Sequence, residues 1–424
     1  MHSTIYKCHH CRYLIYKSFK DIFPFALIFS WIEILQKLVI SDDSFLAQTT
    51  KSSIYKNEWL YTVSNTLYDL SHLLIYFMAS YFVASLVWRG LSNQTKESFS
   101  ASLLGFATVW LLLTSVVPGT DYHYPSQPIW LMLALISYLF IFLTRLLQNR
   151  HHIFQYSMLA ILLLISSILS HILYRYPNID LEYLIQNHFS QWLGDGPHQL
   201  IPIMLWSILA IFLTLSGLFV PDILFRPYSY FSVVSENLNA ALSQHTDKIP
   251  YLYTFYTVKN SFAMFGGIGI LLSLFLAVLY ESRKLQSKNY YKLTLLTLTP
   301  LIFDQNLPFL VGLPVILQPI LFIPMVLTTI FAEAFGALML YLKFVDPAVY
   351  TVPSGTPSLL FGFLASNGDW RYLPVTAIIL VVGFFIYRPF VKIAFAKEEQ
   401  YEKITLMASS CTFHYYPYRN DYLR

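Results

Sequence analysis

Charge is what this chain has least of. Only 12% of its 424 residues are Asp, Glu, Lys or Arg, against 56% hydrophobic and 17% aromatic, and soluble domains run closer to about 25% charged. A soluble domain is therefore excluded. Cysteine is nearly as scarce: Cys8, Cys11 and Cys411 make three, too few for a disulfide framework. Cys8-His9-His10-Cys11 has the spacing of half a metal site, but a second ligand pair is missing and adjacent histidines do not easily join one tetrahedron. The arm reads as solvated and cytoplasmic, with no metal expected. The net charge of +4 carries no nucleic-acid footprint, because the basic residues sit beside apolar runs rather than on one patch. No cofactor is implied either: Phe265-Gly266-Gly267-Ile268-Gly269 lacks the following Lys and preceding strand of a phosphate loop, and reads as close helix packing.

What the chain does have is apolar runs of about 20 residues, the length that crosses a bilayer. They lie near 23–40, 70–88, 99–117, 129–147, 153–174, 201–220, 262–280, 320–342 and 373–395. The predicted fold is all-α: a polytopic membrane protein of about ten transmembrane helices. Basic residues place the N-terminal arm (Lys7, Arg12, Lys17, Lys20), the segment Arg283 to Lys292 and Lys397 on the cytoplasmic side. Loops 118–128 and 175–200 contain only Arg175 between them and belong outside. Counting crossings puts the Arg283 cluster one span out of register, so one run between 129 and 262 is expected either not to be a span or to be re-entrant. No small-residue cleavage site follows the basic arm, and no cleavable signal peptide is expected.

The pattern divides the chain. Residues 1–220 read as a transmembrane scaffold half. Residues 221–261 read as an interfacial linker, with an amphipathic helix from Ser235 to Leu242. Residues 262–400 read as a substrate-binding half, and 401–424 as a cytoplasmic tail. The binding half holds two interruptions. In the first, Pro300, Pro308, Pro314 and Pro319 stop one helix running through, and Asp304, Gln305 and Asn306 fall inside the break. The second runs from Val352 to Gly368, too short to cross and too apolar for water. Two re-entrant hairpins fit, since irregular backbone at membrane depth is tolerated only where protein buries it or where it lines a cavity.

Asp304 is costly at membrane depth, on the order of 3 kcal/mol, so an idle role is disfavoured. Gln305 and Asn306 each offer donor and acceptor, which suits a polyol. Ser354, Thr356 and the intramembrane Glu333 complete the candidate substrate-binding set. Glu33 and Lys37, four residues apart, read as a plain ion pair. No catalytic residue is assigned.

The run from about 236 to 397 resembles the membrane permease subunit, component IIC, of the bacterial phosphoenolpyruvate-dependent sugar phosphotransferase system, in the lactose, cellobiose and diacetylchitobiose branch. The resemblance rests on Phe265-Gly266-Gly267-Ile268-Gly269, Ser287-Lys288-Asn289-Tyr290-Tyr291-Lys292, Ile302-Phe303, Asn306, Pro308, Gly312-Leu313-Pro314, Pro319, Val352-Pro353, Thr356-Pro357, Gly362-Phe363 and Trp370-Arg371, in family order. It implies a homodimeric, multi-pass protein of the bacterial cytoplasmic membrane that moves a disaccharide-type sugar, with the scaffold half, 1–220, also the dimerisation half. Phosphate would come from a separate IIB subunit, charged in turn by IIA. Two departures stand out: Leu307 occupies the position of the family's sugar-binding Glu, and Ile211 lies where its His belongs. Asp304, three residues before Leu307, is the candidate substitute. With both signature groups replaced, phosphorylation-coupled uptake is expected to be weak or absent, and a degenerate pseudo-permease serving as a membrane sensor or interaction protein stands as the alternative.

Overall fold

The structure, a computed structural model, describes residues 2–91, 95–113, 128–147, 152–176, 181–225, 231–243, 249–285, 288–313 and 315–412. Pro314, Pro227, Ser287, nearly all of loop 118–128 and the aromatic tail Phe413 to Tyr418 lie outside them. Among the described residues there is no strand; a lone parallel bridge pairs Ser44 with Ser354.

The first bundle is built from long apolar runs. Helix α1 (His2–Leu35) continues into a π-helical turn, Gln36–Ile40, and the short α2 (Phe45–Thr50) follows, its N-terminus capped by the Ser44 hydroxyl. α3 (Glu58–Gly90) packs on α1, on α4 (Thr95–Leu113) and on α5 (Trp130–Leu147), and α4 packs on α6 (His152–Arg175). A clasp ties α1 to α3: Arg89 donates to both carboxylate oxygens of Asp21 at 2.7 and 2.8 Å, and Ser85 Oγ donates to the same carboxylate at 2.5 Å.

Next come α7 (Leu181–Leu193), α8 (Leu200–Leu215), α9 (Asp222–Phe225) and α10 (Ser232–Leu242). The expected amphipathic helix is α10. It buries Val233, Val234, Asn237 and Ala241, and Asn237 pins the chain at Tyr251 by accepting from its N–H at 3.0 Å and donating to its carbonyl at 2.7 Å. α8 packs on a later helix, α15 (Phe322–Tyr341), rather than only on its sequence neighbours.

The apolar run 262–280 is not one helix. Gly266, Gly267 and Gly269 all take positive φ, so helix begins only with α11 (Leu271–Lys284), 14 residues long. At 1.5 Å per residue that is about 21 Å, short of the ~30 Å hydrocarbon thickness. α12 (Lys288–Leu296), α13 (Leu298–Ile302) and α14 (Leu307–Gly312) precede α15, and α16 (Phe361–Ala365) precedes α17 (Tyr372–Thr412), which packs on α11 and α15. Among the described residues, four stretches, Cys11–Ile40, Glu58–Gly90, Pro319–Tyr341 and Tyr372–Ala396, are long and apolar enough to cross a membrane, and Ser98–Leu113, Trp130–Leu146, Ala160–Ile172 and Leu200–Leu215 are shorter apolar helices.

Candidate functional site

The first interruption is a helix stop followed by a helix start. Pro300 and Pro308 do not make the stop. Pro300 falls in the first turn of α13 and Pro308 in the first turn of α14, where the missing N–H would have had no acceptor. The break comes from the C-terminus of α13. Gln305 N–H donates to Pro300 O at 2.8 Å and Asp304 N–H to Leu301 O at 3.2 Å, the Schellman pattern, which demands a left-handed residue between them. Asp304 is that residue, at φ 59°, a conformation that Asp tolerates better than most non-glycine residues.

The second interruption opens with a turn. Thr356 N–H donates to Pro353 O at 3.3 Å, and Gly355 supplies the positive φ, 77°, that a type II turn needs at its third position. The turn docks on the end of the first bundle. Ser354 Oγ donates to Asp43 O at 2.7 Å, and a Cβ on Gly355 would come 2.5 Å from Lys37 O.

Between the two interruptions lies the glycine segment. Gly266 N–H donates to Ser358 Oγ at 3.0 Å on one side. On the other, a Cβ on Gly267 would lie 2.4 Å from Asn306 Nδ2. This close approach brings the two breaks together around an open cleft. Asp304, Gln305, Ser354 and Thr356 line it, joined by Asn260, Lys37 and Ser358, with Phe225, Phe303 and Phe361 as apolar faces. Aromatic surface with a few placed polar groups is the usual make-up of a small-molecule site.

Two candidates sit elsewhere. Asn306 is 4% exposed and lies behind the cleft, against Gly267. Glu333 is fully buried in α15 and accepts from Ser207 Oγ of α8 at 2.5 Å. Leu307 and Ile211, at the two departures from the family pattern, are packed in the core at 3% and 0% exposure. Lys37 and Asn260 were missed as cleft residues. The ion pair expected of Lys37 is present, at 2.5 Å from Glu33, and the spacing that signalled it says nothing of a second role. Asn260 had one signal, its place just ahead of the glycine run.

Apolar helices of crossing length around a polar cleft at two helix breaks define an all-α integral membrane protein. No protein-family model matches the chain, but individual relatives do. It is 33% identical over 211 residues to the cellobiose-specific EIIC component of Lactococcus lactis subsp. lactis (strain IL1403), a match spanning 48% of this chain and 40% of that one. It is 32% identical over 162 residues to the galactose-specific EIIC component of Lactococcus lactis subsp. cremoris (strain MG1363), spanning 37% and 34%. It is 28% identical over 155 residues to the lichenan permease IIC component of Bacillus subtilis (strain 168), spanning 36% and 33%. These matches cover less than half the length of each relative. Over the matched stretches, the chain is similar to IIC components of the phosphotransferase system. The crystal structure of the transporter ChbC, the IIC component from the N,N'-diacetylchitobiose-specific phosphotransferase system, aligns over 93% of this chain and 95% of that one at 20% identity, with a TM-score of 0.43.

Proposed function

We propose that this chain is a sugar permease subunit that takes a disaccharide-type sugar across the bacterial cell membrane, for phosphorylation by a partner IIB subunit that IIA recharges. The cleft carries the reading. It gathers a carboxylate, amides, hydroxyls and an ammonium within a frame of aromatic faces, which is the chemistry that recognises a polyol with an apolar ring face. In this reading Asp304 takes the part of the family's Glu, and the two interruptions are re-entrant hairpins of a membrane bundle of about ten spans. Gln305, Ser354 and Thr356 bind hydroxyls directly, while Asn306 and Glu333 support the site from behind. The cleft-bearing half, from 262 to 400, moves against the scaffold half. With Ile211 in the place of the imidazole, phosphate transfer is slow.

The test begins with binding of cellobiose, lactose and diacetylchitobiose to the purified protein, followed by uptake of the labelled sugars in cells lacking their own permeases and supplied with matching IIA and IIB. Binding of at least one sugar with slow accumulation of its phosphate is expected. Absence of binding to all of them would overturn the proposal, and binding without any accumulation would make the chain a sensor. A homodimer through the scaffold half is also proposed. Single cysteines placed between 70 and 175 should crosslink in membranes, and crosslinks arising only between 262 and 395 would reverse the assignment of halves.

A further inference from the structure

Lys259 and Glu333 carry charge into the interior at a place the cleft itself does not use. Lys259 lies in a π-helical turn, Phe255–Asn260, and is 2% exposed. Its ammonium donates to the carbonyl of Leu224 and lies 4.8 Å from the ring centre of Phe255. Glu333, fully buried on α15, is within electrostatic reach of it. One carboxylate oxygen of Glu333 is held by Ser207, and the other has no hydrogen-bond partner among the described residues. Single-turn π-helical segments recur at functional sites, and an ionisable residue inside a membrane bundle asks for a functional explanation.

Chain connectivity supplies one. Leu224 is followed by Phe225 and Lys259 by Asn260, and both followers line the cleft. A single ammonium thus ties the backbone of α9 to the π-helical turn immediately behind two cleft walls. Stability alone does not account for two buried charges, because exchanging buried ionic groups for apolar ones is often neutral or favourable, whereas leaving one of them alone is costly. We infer that Lys259, through its hydrogen bond to the Leu224 carbonyl, is a positioning residue that fixes the spacing of Phe225 and Asn260 across the cleft. The inference rests on the sugar-site reading for its purpose and on the geometry alone for its mechanism.

The experiment compares Lys259→Met with the double variant Lys259→Met/Glu333→Gln, in a background where Cys8, Cys11 and Cys411 are replaced by Ser. Lys259→Met is expected to lower the yield of folded protein, since it leaves a carboxylate buried alone. The double variant should restore the yield. It should nevertheless bind cellobiose about tenfold more weakly, the effect of one misplaced hydrogen bond. A second readout needs no sugar. A Phe225→Cys substitution should react severalfold faster with a soluble maleimide in the double variant, while a Thr356→Cys substitution on the facing turn reacts at an unchanged rate. Lys259→Arg, which keeps the positive charge and shifts the donor, is the second variant and should change the Phe225→Cys rate without the loss of yield. A folded double variant with unchanged cellobiose affinity and unchanged labelling overturns the inference. If the parent protein binds no cellobiose, the sugar reading is what fails, and the labelling rates alone decide the positioning role.

Discussion

The bundle of α1, α3 and α4 and the half that follows residue 255 keep their charges in different places. In the bundle, the Asp21–Arg89 clasp sits at 29% and 31% side-chain exposure, within reach of water. In the later half, Lys259, Glu281 and Glu333 are at 2%, 2% and 0%, and Arg388 reaches Glu281 across α17 and α11 at 2.9 Å. Buried ionic groups contribute little net stability and are costly to leave unpaired. A half that holds several of them, and that also takes positive φ at Gly266, Gly267, Asp304 and Gly355, is shaped for geometry. The bundle, with its continuous helices and half-wet clasp, is shaped for rigidity. Changes in the first should move ligand binding, and changes in the second should move stability.

The sharpest way to break this contrast is at Gly267. Replacing it with Ala puts a Cβ 2.4 Å from Asn306 Nδ2 at a φ of 113°, which should cost about 3 kcal/mol between strain and clash. Thermal unfolding of the purified variant measures this, and a loss under 1 kcal/mol on the scale of ordinary surface changes would show that the segment relaxes freely. Asp304→Asn comes next. It keeps the shape and removes a charged acceptor, so sugar affinity should fall about ten- to a hundredfold, or 1.5 to 3 kcal/mol, with unfolding little changed. Equal affinity in the variant would remove Asp304 from the site. In the bundle, Asp21→Asn should do the reverse, lowering stability by about 1 kcal/mol because the clasp is half exposed while sugar affinity stays the same; a shift in affinity would erase the distinction between halves.

The smallest effect concerns pH. Asp369, at the entrance to α17, accepts from Arg371 Nε at 2.7 Å, from Arg371 N–H at 3.1 Å and from Asp346 N–H at 2.9 Å. Burial pushes its carboxyl up, but the hydrogen bonds from Arg371 and Asp346 outweigh that and hold it below the usual carboxylate value. A folded-state value below the unfolded one means stability that is present above about pH 3.9 and lost as pH falls toward the folded value. Unfolding midpoints of the parent and Asp369→Asn proteins should therefore converge as pH drops below about 4. A difference that stays constant across that range would exclude the linkage.

Much of this was open to inspection before any fold. The scarcity of charge and the apolar runs dictate helices in a membrane, because hydrocarbon leaves the backbone no partner but itself. The two breaks could be placed from proline and glycine, which act through their own backbone. The mechanism at the first break could not. Pro300 and Pro308 turned out to begin helices, and the stop is made by backbone hydrogen bonds that hold Asp304 left-handed. The run at 262–280 misled for a related reason: its apolar residues suit a span, but three glycines at positive φ fold the first part into the seam between the breaks.

The sequence by itself determined the all-helical membrane character, the positions of the interruptions and the polar residues they carry, since each depends on composition or on local backbone chemistry. Only the tertiary structure decided which of those residues share a cleft. Gln305 and Asn306 are neighbours of like chemistry, yet Gln305 lines the cleft and Asn306 backs onto Gly267, because the turn after Asp304 points successive side chains in different directions. Glu333 looks as available as Asp304 in a hydropathy plot, and packing of α15 on α8 buries it against Ser207. Lys37 reaches the cleft from the far end of the chain because Gly355 has no side chain to hold the second turn away from it. Such meetings depend on which surfaces pack together, and that is a property of the whole fold rather than of any stretch of sequence.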